Sequence, residues 1–486
     1  MRSLRVLLEG LRQSGQLVSA PDLDLKVTGI TEDSRAMMRG GLFCAVEGTA
    51  LDGHRFVGDA AARGAAVALV VREVDVSIPQ VTVRDSRVAT AVVAREWFGR
   101  PTDGMRVIGV TGTNGKSTTV AVLRHLLNGD RSTGSIGTLG AFDGLGAALE
   151  GYGSLTTPGA VELQGVFAAL RDRGVQTVVM EASSHALDQR RLETVRLRAA
   201  VYTNLSHEHL DYHATLDAYR DVKARLSDLL GPDAIEVVNV DDSAWQSLPH
   251  RSGVRRIGYG RSGRPDVEAC TVDLGPNGAA GTISFGGAEV DARWPLLGAF
   301  NVHNALAASA AAWGLGMSPA EIVTALATVP QIPGRMELLA SAEASVLRDY
   351  AHTPDALERA LAALRPLTAG RVVVLFGAGG DRDRSKRPLM GQAAVRGADA
   401  VIVTSDNPRT EDPDRIIDDI EAGMAGASHV RIADRREAIR RAIVMLEPGD
   451  VLLLAGKGHE TYQEVGTARI PFDERDIVRD MLRGGT

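Results

Sequence analysis

The segment GVTGTNGKST (109–118) constrains this chain more than any other stretch. An apolar run, MRVIGVT, is followed by a glycine-bearing turn, and Lys116-Ser117 then opens the apolar-periodic stretch TVAVLRHLL. Buried strand, tight turn and helix in that order predict a βα unit whose helix start turns unpaired backbone N–H groups and a positive dipole end toward an anion. Gly112, Thr113, Asn114, Gly115, Lys116, Ser117 and Thr118 are the candidate phosphate-binding residues. Lys116 would reach the outer phosphates of a nucleotide and the Ser117 hydroxyl would serve Mg²⁺. Strict P-loop spacing would need a glycine at Val110, so this is a shortened variant resting on Gly112 and Gly115. A tight βα turn with an incidental lysine is the plain alternative.

Lysine usage argues against the incidental reading. Lys and Arg together number 54, yet only Lys26, Lys116, Lys223, Lys386 and Lys457 are lysines. Where arginine has replaced the interchangeable surface lysines, those left are enriched for tasks a guanidinium cannot do: a compact point charge, or an amine able to lose its proton and react. For Lys26 and Lys386, chance survival of a drift in codon usage stands equally open.

The organisation is that of an α/β protein. At about 150 residues per domain, 486 residues suggest about three domains. Residues 1–103 mix short strand-like runs (LKVTGI, GLFCAV, AAVALVV, QVTV) with the helix-like VGDAAARG and SRVATAVVAREWFG. Residues 104–332 add strands at VQTVVMEA, AAVYTN and IEVVNVDD between helical stretches, predicting a mostly parallel sheet of P-loop type covered on both faces. Residues 333–486 alternate RVVVLFG, ADAVIVTS, SHVRI and DVLLLAG with helices, a second, doubly wound, Rossmann-like sheet.

Several classes drop out. No stretch approaches the roughly 18 apolar residues of a membrane span, and the N-terminus lacks a signal-peptide pattern, so a cytoplasmic protein with no membrane insertion is expected. A formal charge of −7 gives no drive toward nucleic acid. Cys44 and Cys270 lack CxxC spacing and suggest neither disulfide nor thiolate metal site.

Two further segments carry chemistry. Glu181 ends the apolar run VQTVVME, where its carboxylate would leave the carboxyl edge of the sheet and suit Mg²⁺. TNLSHEHLDYH holds His207, His209 and His213, open to a zinc reading, to imidazole joining carboxylates on Mg²⁺, or to a polar surface loop. Ten residues on, Lys223 is the sole lysine between 117 and 385.

Together these motifs resemble the Mur ligase family of ATP-dependent amide-bond-forming enzymes, and the resemblance spans nearly the whole chain. It rests on DSR (33–35), GTALDGHRF, GTNGKST, TTP (156–158), MEASSHALDQRR, TNLSHEHLDYH, GAFNVHN, GRME, DYAHTPDAL, GAGGDRDRSKRPLMG, DNPR (406–409) and AGKGHE (455–460). It implies ATP and Mg²⁺ as cofactors, and UDP-N-acetylmuramoyl-L-alanyl-D-glutamate and meso-diaminopimelate as the partners joined, by a monomer. By resemblance, Lys116 and Ser117 would bind phosphates and metal, Glu181 and His209 would hold metal, and Lys223 would carry a carbamate. Asn301 and Arg335 would contact the nucleotide and Asp349 its ribose. Ser34, Thr156, Thr157, Ser183, Gln189 and Arg191 would meet the UDP-sugar dipeptide. Arg382, Asp406, Asn407, Pro408, Arg409, Gly456 and Glu460 would hold the diamino acid. Three positions depart from the family pattern: Glu208 replaces the usual Asp, Ser117 the common Thr, and acidic Glu32 an apolar residue of the uridine pocket.

An arginine fork can take a carboxylate with two hydrogen bonds, so Arg409 would favour diaminopimelate over L-lysine. The lysine-adding ligase and folylpolyglutamate synthase are the alternatives within the superfamily. A dinucleotide-binding oxidoreductase (from GAGGDRDR) and a non-catalytic P-loop switch are the alternatives outside it.

Overall fold

The computed structural model describes residues 1–48, 51–152, 155–206, 208 and 210–483. The chain forms two compact units. One comprises Met1–Val267 with Ala307–Met317, and the other Glu268–Leu306 with Ser318–Thr486.

The first unit holds a two-stranded sheet and two larger ones. The N-terminal one has the strand order Leu17–Ser19, Gln80–Val83, Val67–Val70, Leu42–Cys44, Ile30–Thr31, parallel except for its first strand. The run LKVTGI, expected as one strand, is divided at Thr28-Gly29: Lys26–Val27 pairs with Arg2–Ser3, and Ile30–Thr31 joins the main sheet. The second sheet runs Gly140–Phe142, Thr133–Gly137, Thr177–Glu181, Arg106–Thr111, Leu197–Tyr202, Leu230–Asn239, Arg255–Gly260. Among these strands every pairing is parallel except the first. Its central strands are buried nearly end to end because helices cover both faces, which is why they read as continuous apolar runs. The helix Lys116–Leu127 leaves the carboxyl end of Arg106–Thr111, as the sequence predicted.

In the second unit, Ser345–Asp349, Val451–Ala455, Val372–Phe376, Ala400–Val403 and Val430–Arg431 lie side by side and parallel, with Glu337–Ser341 antiparallel at one edge. The expected doubly wound sheet is therefore present. Two hairpins were not anticipated. Gly278–Phe285 pairs with Ala288–Trp294, whose buried and exposed positions are too mixed to read as core, and Tyr462–Val465 pairs with Ala468–Pro471, neither of which has a buried position.

Candidate active site

The glycine turn is built by close approach. Gly112 sits at φ 148°, and a side chain there would collide with the Thr203 hydroxyl. The segment after Leu197–Tyr202 braces the turn: Thr113 N–H donates to Asn204 O (2.7 Å), Asn114 N–H to Asn204 Oδ1 (3.0 Å), and Thr203 Oγ1 to Asn114 O (2.7 Å). Two of the turn's amides are thus committed within the protein. From Gly115 onward the amides of the first helical turn have no intrahelical acceptors. Ser117 and Thr118 are buried in that turn.

Two lysines converge on this turn. Lys116 Nζ donates to Gly112 O (2.9 Å) and Thr113 O (2.7 Å), and Lys223 Nζ donates to Gly112 O (2.8 Å). Lys223 comes from the helix Leu216–Ala224, is fully buried, and lies 4.3 Å from the centroid of the Tyr219 ring. Burial first, and the Lys116 charge second, hold its ammonium well below the usual lysine range, with Glu208 opposing. A buried amine in that setting favours the neutral, nucleophilic form.

Glu181 ends its strand beside Val110, as predicted, and is buried. Its carboxylate accepts from Thr138 N–H (2.8 Å) and Thr138 Oγ1 (3.2 Å), and Gly137 leaves the space it fills. Thr138 was missed by sequence reasoning, since only the pairing of Thr133–Gly137 with Thr177–Glu181 brings it there. The Ser117 hydroxyl and the Glu181 carboxylate, both buried, are oxygen donors of the kind that suits Mg²⁺ rather than zinc. His207 and His209 lie outside the described residues. His213 is buried in an aromatic cluster with His185, Tyr212 and Tyr219, at ring distances of 5.7, 4.7 and 5.1 Å.

Of the residues expected at the UDP-sugar dipeptide, all but Ser34 gather next to Glu181. Thr156 Oγ1 meets Thr138 Oγ1 (3.0 Å), and Thr157 Oγ1 donates to Glu181 O (2.8 Å) and accepts from Ser183 N–H (3.1 Å). Ser183 caps the helix Ser184–Asp188. Arg191 donates to Thr157 O (2.7 Å) and, through Nη2, to Gln189 Oε1 (2.7 Å). Ser34 is buried at the start of a short helical turn in the N-terminal sheet region. Glu32 accepts from Val161 N–H (3.0 Å) in the first turn of Ala160–Asp172, which ties the loop before Ser34 to the second sheet's layer. Burial raises the Glu32 carboxyl while Val161 N–H and Arg191 oppose the rise.

The second unit carries the remaining candidates. Asn301 is fully buried near the start of its helix, donating to Leu297 O (2.7 Å) and accepting from Asn304 (2.8 Å). Asp349 ends its strand, accepts from Met336 N–H (2.7 Å), and is raised by burial against the pull of Arg335. Arg335 stacks over Tyr350 at 4.8 Å.

At the carboxyl ends of the Ala400–Val403 and Val451–Ala455 strands, Asp406, Asn407, Arg409, Gly456 and Glu460 come together. Asp406 is buried and its Oδ2 has no hydrogen-bond partner among the described residues. A side chain on Gly456, at φ 111°, would come within 2.6 Å of that oxygen. Asn407 Nδ2 donates to Glu460 Oε2 (2.9 Å). Arg409, at φ 51°, donates from Nη1 to Gly380 O (2.8 Å) and pairs through Nε with Glu464 (2.8 Å). Pro408 presses its carbonyl so close to Gly380 that only glycine fits there. The GAGG stretch is therefore a packing device for the DNPR loop. Arg382 is exposed and, like Arg409, flanks Gly379. Glu464 was not anticipated, because the hairpin that delivers it gave no sequence signal.

Comparison with known proteins fits this arrangement. The Mur ligase family, catalytic domain, matches residues 26–102; the Mur ligase middle domain matches 110–312; and the Mur ligase, glutamate ligase domain, matches 334–458. The chain is 43% identical over 470 residues to UDP-N-acetylmuramoyl-L-alanyl-D-glutamate--2,6-diaminopimelate ligase of Geobacillus kaustophilus (strain HTA426), covering 94% of this chain and 95% of that one. A solved structure of a ligase of the same name aligns with TM-score 0.67 at 34% identity, over 96% of this chain and 99% of that one. MurF ligase from Thermotoga maritima, solved in complex with ADP, shares the fold at TM-score 0.64 and 20% identity, over 93% and 96% of the two chains. With three domain models matched in order and a relative this similar over nearly its whole length, the chain belongs to the Mur ligase family of ATP-dependent amide ligases.

Proposed function

We propose that this protein joins meso-diaminopimelate to UDP-N-acetylmuramoyl-L-alanyl-D-glutamate at the expense of ATP, in peptidoglycan precursor synthesis. The names of its relatives support the substrates. The observation that carries the reading is the mixed-sign cluster in the second unit. Buried Asp406, with an unpartnered carboxylate oxygen, and Glu460 stand with Arg409 and Arg382. Such a set suits a group bearing both an ammonium and a carboxylate, whereas L-lysine ends in an ammonium alone.

A carboxylate at neutral pH has no leaving group, so ATP must first convert it to an acyl phosphate, which the amine then attacks with expulsion of phosphate. Lys116 would move from the Gly112 and Thr113 carbonyls to the outer phosphates and offset the repulsion between substrate carboxylate and γ-phosphate. The first turn of Lys116–Leu127 would hold the phosphate chain. Ser117, Glu181, His209 and a carbamate on Lys223 would hold Mg²⁺. That ion, when bound, supplies charge neutralisation on the phosphates. Thr138 would keep the Glu181 carboxylate oriented. The roles of Asn301, Arg335 and Asp349 toward the nucleotide, and of Ser34, Thr156, Thr157, Ser183, Gln189 and Arg191 toward the dipeptide, form part of the same proposal. So do the domain limits 1–103, 104–332 and 333–486 and action as a monomer in the cytoplasm. No helix among the described residues is long and apolar enough to cross a membrane.

The test of this chemistry is isotopic. With ¹⁸O in the dipeptide carboxylates, the reaction should release phosphate carrying one ¹⁸O atom together with a UDP-linked tripeptide. Phosphate free of label would exclude the acyl phosphate.

A further inference from the structure

Lys457 lies inside AGKGHE (455–460), between Gly456 and Glu460 of the proposed diamino-acid site. It is fully buried, and a buried ammonium is tolerated only where partners offset its lost hydration. Its partners are both site residues: Nζ donates to Asn407 Oδ1 (2.9 Å) and to Glu460 Oε2 (3.0 Å). Asn407 Oδ1 also accepts from Glu464 N–H (2.9 Å). With two donors on its oxygen, the Asn407 amide can present only its Nδ2 to Glu460, and it does so at 2.9 Å. Glu460 Oε2 thereby receives two donors, which fixes the rotamer of a carboxylate that is still 14% exposed. The Tyr462 and Phe472 rings lie 5.8 and 6.0 Å from the ammonium and close the remaining side.

We infer that Lys457 is a positioning residue of the diamino-acid site, holding Asn407 and Glu460 so that the remaining Glu460 oxygen meets the ammonium of the incoming amino acid. The inference rests on the proposed function and deepens it. Lys457 does not touch substrate; it acts through Glu460, and its removal should therefore be felt by one substrate only.

The experiment is a double-mutant cycle on the full-length enzyme with steady-state kinetics for all three substrates. Lys457→Met, close in length and apolar, should raise KM for meso-diaminopimelate about tenfold or more while leaving KM for ATP and for the UDP-sugar dipeptide within about twofold. In a Glu460→Gln background the same substitution should add less than about twofold. Should Lys457→Met not fold by circular dichroism, Lys457→Gln, which keeps a donor toward Asn407, carries the same cycle. An unchanged diaminopimelate KM, equal rises for all three substrates, or fully additive effects with Glu460→Gln would overturn the inference. A wild-type enzyme that does not use diaminopimelate would instead refute the functional reading, so the two failures are distinct.

Discussion

Lys116 and Lys223 donate to one and the same atom, the carbonyl oxygen of Gly112, at 2.9 and 2.8 Å. Two ammonium groups sharing one acceptor is an arrangement that repulsion and burial disfavour unless one of them gives up its charge, and Lys223 is the buried member.

Lys223 should therefore act as a carbamate, an anion made from the neutral amine and CO₂. Lys223→Ala should lose most ligation and regain part of it with added formate, acetate or bicarbonate, not with alkylamines. Lys223→Arg should stay inactive, because a guanidinium neither loses its charge nor takes up CO₂. The pH dependence follows from the lowered ammonium. Between its folded and unfolded pKa the unfolded chain binds the extra proton, so stability gains as pH rises through that window and is lost as it falls. Carbamate formation, which needs the neutral amine of the folded protein, declines as pH drops through the folded pKa. A Lys223→Arg enzyme of near-normal rate would sink this account.

Lys116→Ala should abolish ligation and spare the fold. Among the described residues its ammonium hydrogen-bonds the carbonyls of its own turn, so the loss belongs to phosphate stabilisation and should be at least about 100-fold in kcat. Circular dichroism and melting should match wild type; an unfolded variant would make the residue structural.

The Arg409–Glu464 pair sets the size of the amino-acid preference. Glu464 is a standing counter-ion, so bound L-lysine does not leave Arg409 bare. Discrimination in kcat/KM is expected at about 10² to 10³, below the 10⁴ to 10⁵ of a site left wholly unpaired. Arg409→Ala should bring it to about tenfold or less, chiefly through the diaminopimelate KM. Equal kcat/KM for the two amino acids in the unmutated enzyme would contradict the assignment.

Arg435 tests the scaffold. It is fully buried, pairs with equally buried Glu474 at 2.8 Å, and donates to Ser405 O (3.2 Å) and Ala455 O (2.9 Å), the carbonyls just before Asp406 and Gly456. Arg435→Ala leaves a buried carboxylate without its cation and should cost about 3–5 kcal/mol in denaturant unfolding. A loss under about 1 kcal/mol would show that the pair does not hold these strand ends.

What the sequence made legible follows the range of the interactions. The turn 109–118 and the strand ending at Glu181 are local patterns, and both lie where the residues placed them. Lys223 stood out only because lysine is scarce. Thr138 and Glu464 were invisible: each reaches its partner through strand pairing or a hairpin across tens of residues, and neither has a distinctive neighbour in sequence. The division of LKVTGI fails for a related reason, since Thr28-Gly29 can bend the run and only tertiary pairing decides that it does. The glycines of GAGG resembled a ligand loop because close approach of backbone to backbone and of backbone to phosphate both demand a missing side chain.

The most direct measurement of the central claim is ADP release by the purified enzyme across a panel of amino acids, with and without UDP-N-acetylmuramoyl-L-alanyl-D-glutamate. The account predicts sustained release only when the UDP-sugar dipeptide and meso-diaminopimelate are both present, with L-lysine far weaker. Release of ADP at the same rate without either substrate, or with L-lysine as efficiently as with meso-diaminopimelate, would contradict it.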